Sequence, residues 1–113
     1  MLLEVESPSQ TVLASLFGQG SVAAGEEIQI AEDVRLRYLG RVHREGALPG
    51  MPEILQFGLS FTAGVASSLV ANWLYARLKG KRSVVYVERS KITIDAPGGH
   101  ATLTTVLETH LEP

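Results

Sequence analysis

The chain contains no cysteine, which excludes disulfides and thiolate metal sites and leaves the redox compartment open. Charge is also sparse: 19% of the residues are charged and the formal net charge is −2, so nothing in the composition points to a nucleic-acid partner. The start, Met1-Leu2-Leu3-Glu4-Val5-Glu6, lacks the basic segment and apolar run of a signal peptide, and a cytoplasmic address is expected. No internal repeat of convincing length and no low-complexity tract interrupts the chain. What is present is a hydrophobic content of 45% over 113 residues, which predicts one globular domain spanning 1–113, large enough for a core but with little stability to spare.

The longest absence is local. From Ile54 to Ala76 no residue is charged, and the run closes in a basic cluster, Arg77, Lys79, Lys81 and Arg82. Read as one helix from Pro52 to about Lys79, the segment places Leu55, Phe57, Leu59, Phe61, Val65, Leu69, Val70, Trp73 and Leu74 over more than half its circumference. The remaining arc holds small residues four apart: Ser60, Gly64 and Ser68, then Ala63, Ser67 and Ala71. Such a stripe lets another backbone approach closely. A helix of this kind, about 40 Å long, has three physical solutions. It can span a bilayer, although Gln56, Ser60, Thr62, Ser67, Ser68 and Asn72 interrupt it and basic residues on both flanks give no orientation. It can be buried within a monomer, where two short flanking helices offer too little cover. Or it can pair with a second copy, and this reading is preferred because large exposed apolar patches mark interaction sites.

The other segments read as shorter pieces. Leu2–Glu6 alternates like a half-buried strand. Ser7-Pro8-Ser9-Gln10 has the spacing of a capping box for a helix carrying Val12, Leu13, Leu16 and Phe17, which stops at Gly18-Gln19-Gly20. Glu27–Ala31 and Val34–Gly40 read as a hairpin turning at Glu32-Asp33, with Arg35 and Arg37 facing out. Residues Arg41 to Met51 read as a loop. Ser83–Glu88 and Lys91–Asp95 read as strands joined at Arg89-Ser90, with Val85 and Val87 sharing a face with Ile92 and Ile94. After Pro97-Gly98-Gly99, Leu103, Val106, Leu107 and Leu111 follow helical spacing. The expected fold is therefore α+β in the order β-α-β-β-α-β-β-α: a mainly antiparallel sheet of four to five strands packed on one long central helix, with two short helices.

No reacting constellation emerges. His43, His100 and His110 share no ligand spacing, so no metal is expected. Gly18-x-Gly20-x-x-Ala23 follows a helix and leads to a strand, the reverse of a dinucleotide loop, and no cofactor is expected. No serine lies in a G-x-S-x-G setting. Ser60, Ser67, Ser68 and Asn72 could serve a small-ligand site, but serines bonded to their own helix backbone are the commoner case. The basic cluster complements the negative end of a helix, and it could also meet anionic lipid or an acidic partner.

The order of parts resembles that of the effector-associated constant components, small bacterial proteins found beside effectors in conflict and defence operons. The likeness rests on Ser15-Leu16 in the first helix, the loop Pro49-Gly50-Met51, and the small-residue-rich stretch ending Trp73-Leu74. It continues through the basic run Arg77-Leu78-Lys79-Gly80-Lys81-Arg82 and the strands Val84-Val85-Tyr86-Val87 and Ile92-Thr93-Ile94-Asp95. This resemblance implies a non-enzymatic accessory module acting through protein contacts. The functional expectation is accordingly an interaction module that self-associates through helix 52–79, using Ser60, Ala63, Gly64, Ser67, Ser68, Ala71 and Trp73, and that engages an unidentified protein partner. The alternative is a membrane-associated component held by the same helix and its basic end.

Overall fold

The computed structural model describes residues 1–43, 46, 51–61 and 67–111. The elements are β1 (Leu2–Glu6), α1 (Val12–Phe17), β2 (Glu27–Ala31), β3 (Val34–Val42), β4 (Ile54–Phe61), α2 (Ser67–Leu78), β5 (Val84–Val87), β6 (Ser90–Thr93) and α3 (Gly99–Leu111). The strands form one six-stranded sheet in the order β2-β3-β4-β1-β5-β6, antiparallel at every pairing. The α+β class and its antiparallel sheet match expectation, with six strands where four or five were predicted.

The long central helix does not exist. Its first third is β4, a central strand bonded to β3 on one side and β1 on the other. The helical part, α2, has 12 residues, about 18 Å of rise. Residues 62–66, including Ala63 and Gly64 of the predicted stripe, lie outside the described residues. The physical reason is in the residues themselves. Leu55, Phe57, Leu59 and Phe61 recur at every second position, with Gln56, Gly58 and Ser60 between them, which is the period of a strand half-buried on one face. Six strands sharing hydrogen bonds outweigh the helical alternative, which Gly58 further weakens. Without that helix the area problem disappears, because the apolar side chains are divided between a strand and a shorter helix that face each other across one core.

Strand alternation builds that core. Leu3 and Val5 of β1 lie opposite Phe57 and Leu55 of β4 on one side and Val87 and Val85 of β5 on the other. Leu36 and Tyr38 of β3 align with Leu59 and Phe57, and Val85 aligns with Ile92 of β6. These side chains form one cluster with Val12, Leu13 and Leu16 of α1, Val70, Ala71, Leu74 and Leu78 of α2, and Leu103 and Leu107 of α3. The three helices therefore share one face of the sheet. Phe17 extends the cluster, its ring centroid 6.2 Å from Phe57 and 6.5 Å from Tyr38.

Side-chain bonds fix the connections at one end. The Ser7-to-Gln10 capping box does not form. Ser7 Oγ instead accepts the N–H of Ser9 at 3.1 Å and donates to the carbonyl of Lys81 at 2.5 Å, tying the β1–α1 link to the α2–β5 link. Helix α1 then starts after Thr11 and ends at Gly18, whose φ of 72° supplies the left-handed cap expected there. The β5–β6 turn is Glu88-Arg89, both at positive φ, one residue earlier than predicted, so that Ser90 already pairs with Val87.

Candidate functional site

With three helices on one side, the other face of the sheet carries no covering element among the described residues. Its side chains follow from strand parity and register. A first cross-strand row runs Val42, Ile54, Glu6, Val84 and Thr93; a second runs Gly40, Gln56, Glu4, Tyr86 and Lys91. A third begins Glu27, Arg37, Gly58 and Leu2, and ends at Glu88, whose N–H donates to Leu2 O at 3.0 Å.

A β-bulge shapes the middle of this face. Register slips between Tyr38 and Gly40, so Leu39 is the extra residue on β3. Tyr38 stays buried in the core, whereas Leu39 is 46% exposed and its methyl groups stand 4.0 Å from where a Cβ on Gly58 would lie. Gly40 takes φ 126°, a conformation that side-chain-bearing residues rarely adopt. The missing side chain at Gly58 thus leaves room for Leu39 to lie along the outer surface. Val42, further along β3, is 36% exposed. Two of the four large apolar side chains that are exposed among the described residues therefore stand on one strand of this face.

Charge on the face is divided by strand. Arg35 and Arg37 of β3 both approach Glu27 of β2, at 3.4 and 3.3 Å, while their side chains stay more than half exposed. Glu4 and Glu6 stand on β1 and Glu88 follows β5, with Glu4 accepting from Gln56 Nε2 at 3.1 Å and Glu88 Oε1 accepting the N–H of Leu2 at 2.7 Å. Exposed pairs of this kind contribute little to stability.

The predicted site residues are not brought together. Ser60 sits on β4, opposite Arg35 on the uncovered face. Ser67 and Ala71 are buried under α2 against the core, and Ser68 is exposed. The small-residue stripe is thus split between two elements and opposite directions. Trp73 is half-buried, with Arg77 Cζ 4.2 Å from its ring centroid, and Leu69, one turn earlier, is 44% exposed. Asn72 Oδ1 lies 2.6 Å from His100 Nε2 and so links α2 to α3. Within the basic cluster, Lys81 Nζ donates to Thr11 Oγ1 at 2.7 Å, the backbone N–H of Arg82 is held by Asp95, and Lys79 is exposed. No helix among the described residues is long and apolar enough to cross a membrane.

A groove of about 430 Å³ lies where Ser9, Gln10 and Leu13 face Arg41, Met51 and Glu53. Its two charged groups meet each other: Glu53 is 3.5 Å from Arg41, and His43 Nε2 lies 3.7 Å from the same carboxylate. Among the described residues no group of three or more His, Asp or Glu side chains is placed to hold a metal ion.

Sequence alternation turns Arg35 and Arg37 outward, as observed, but does not reveal Leu39, because the bulge that exposes it changes parity in mid-strand. The glycine at position 40 was the available signal. Compared with protein-family models, curated proteins and solved structures, the chain matches none.

Proposed function

We propose that this protein is a non-enzymatic accessory module that engages a protein partner through the uncovered face of its sheet. The observation that carries this reading is that exposed Leu39 and Val42 share β3 with Arg35 and Arg37, whose side chains stay more than half exposed while paired with Glu27. An apolar centre bordered by arginine is the composition that protein interfaces favour. The resemblance to effector-associated constant components implies the same class of role and belongs to this proposal. The self-association expected of helix 52–79 loses that helix as its means and passes to the sheet.

The test is co-purification of the tagged protein from its native cells, comparing the unaltered chain with a Leu39→Lys/Val42→Lys variant. Both positions are exposed, so the variant should fold, and circular dichroism checks this. The expected result is a partner retained by the unaltered chain and lost by the variant. Recovery of the same partners by both would overturn the assignment of this face.

A further inference from the structure

The distribution of side chains on the uncovered face is self-complementary. We infer that it binds the same face of a second copy, the two sheets packed about a two-fold axis parallel to the strands so that β3 of each protomer lies over β5 of the other. This inference rests on the reading of the face as an interface and names its occupant.

The geometry follows from strand order. In β2-β3-β4-β1-β5-β6 the midline falls between β4 and β1. A two-fold axis along that midline, lying between two facing sheets, exchanges β4 with β1, β3 with β5 and β2 with β6, and it preserves position along the strands. Each row therefore meets its own reverse. In the third row Arg37 comes over Glu88 of the second copy, and Gly58 over Leu2. In the second row Gln56 comes over Glu4, and the Leu39–Gly40 bulge over Tyr86. In the first row Val42 comes over Val84, while Ile54 over Glu6 is the one mismatched pair. Sheets packed face to face in this aligned manner cross at about 30°, so the match is closest near the axis and loosens toward the corners.

Charge complementarity favours a second copy over an unrelated protein. The β2–β3 half of the face presents Arg35 and Arg37 around Glu27, a surplus of positive charge, and the β1–β5–β6 half presents Glu4, Glu6 and Glu88 with Lys91, a surplus of negative charge. The proposed axis sets each half against the opposite one, and such an isologous contact satisfies both halves at once. Glu88 keeps one carboxylate oxygen beyond the bond to Leu2, so it can accept from an arginine without giving up that bond. Area is also of the right order. Six strands about 4.8 Å apart and roughly 20 Å long give about 500–600 Å² of flat sheet per protomer before side-chain relief is counted. Standard interfaces bury about 800 Å² per partner. The surface suits a reversible dimer, weakened by salt.

Sedimentation equilibrium of the full chain between about 1 and 200 µM, at low and moderate salt, provides the test. The unaltered protein should pass from monomer to dimer. Arg37→Glu sets carboxylates against Glu88 at both contacts of the homodimer, and Glu88→Arg sets guanidiniums against Arg37. Each alone should weaken association by about tenfold or more. Mixing the two variants should restore it, because in the mixed dimer one contact is native and the other is reversed as a pair. Should Glu88→Arg fail to fold for loss of its bond to Leu2, Leu39→Lys takes its place, with association expected to weaken to the same degree and no rescue on mixing. A monomer throughout the range overturns the self-pairing, as does a dimer indifferent to Arg37→Glu or Leu39→Lys. Neither outcome touches the broader reading of the face, which the co-purification decides.

Discussion

Asp95 accepts the backbone N–H of Gly80 at 2.7 Å through one carboxylate oxygen and that of Arg82 at 3.0 Å through the other. The link between α2 and β5 is thereby held by a side chain from beyond β6. Gly80 and Arg82 both stand at positive φ, at 80° and 54°, a conformation that turns their amides toward a common acceptor. Replacing Asp95 with alanine leaves both amides to water and Arg82 without its compensation. We expect Asp95→Ala to lower unfolding stability by about 1–2 kcal/mol, with Asp95→Asn intermediate because one acceptor oxygen remains. Urea denaturation measures both, and a change below about 0.3 kcal/mol for alanine would show that the bonds hold nothing in place.

Ser83 presents the opposite case. Its side chain is fully buried, and its Oγ finds no hydrogen-bond partner among the described residues. Only its backbone is occupied, the carbonyl accepting from Ile94 N–H at 3.1 Å. A buried hydroxyl without a partner costs stability that an apolar atom set would not. Ser83→Ala should therefore leave the protein as stable or more stable by about 1 kcal/mol. A fall in melting temperature on this substitution would mean that the hydroxyl has a partner in solution.

Gly99 opens α3 hard against the end of β6. A Cβ there would collide with the carbonyl oxygen of Ile94 and stand 2.6 Å from that of Thr93. Both neighbours are backbone, so neither can swing aside. Gly99→Ala should cost about 2–4 kcal/mol, whereas Gly20→Ala, which meets open space, should be close to neutral. Thermal melts of the two variants side by side separate this clash from any general effect of adding a methyl group.

How far these features could be read from residues alone depends on the range of the interactions involved. The hairpin at Glu32-Asp33, the stop at Gly18 and the shared face of Val85, Val87, Ile92 and Ile94 are local, and turn chemistry with two-fold alternation is enough to place them, although the register of β5 on β6 is not. The segment Ile54–Phe61 fits both periods, since apolar residues at 55, 57, 59 and 61 also occupy most of a helical wheel. What decides it is the presence of β1 and β3 on either side, and no window of sequence contains those partners. The candidate site was missed for a related reason. Glu4, Gln56, Tyr86 and Arg37 are scattered along the chain, and only the strand order 2-3-4-1-5-6 gathers them on one surface. Alternation along β3 turns Arg35 and Arg37 outward, but the surface they belong to exists only once the six strands are in order.

The insertion of β1 between β4 and β5 bears on how the molecule is assembled. The meander β2-β3-β4 and the hairpin β5-β6 never pair within the sheet; β1 is the seam between them. One border of that seam waits for Leu55 and Phe57, and the other waits for Val85 and Val87, close to the far end of the chain. Until the last hairpin arrives, Leu3 and Val5 stand on a raw strand edge, the kind of edge that recruits strangers. A chain lacking β5 and β6 is thus the form most exposed to mispairing.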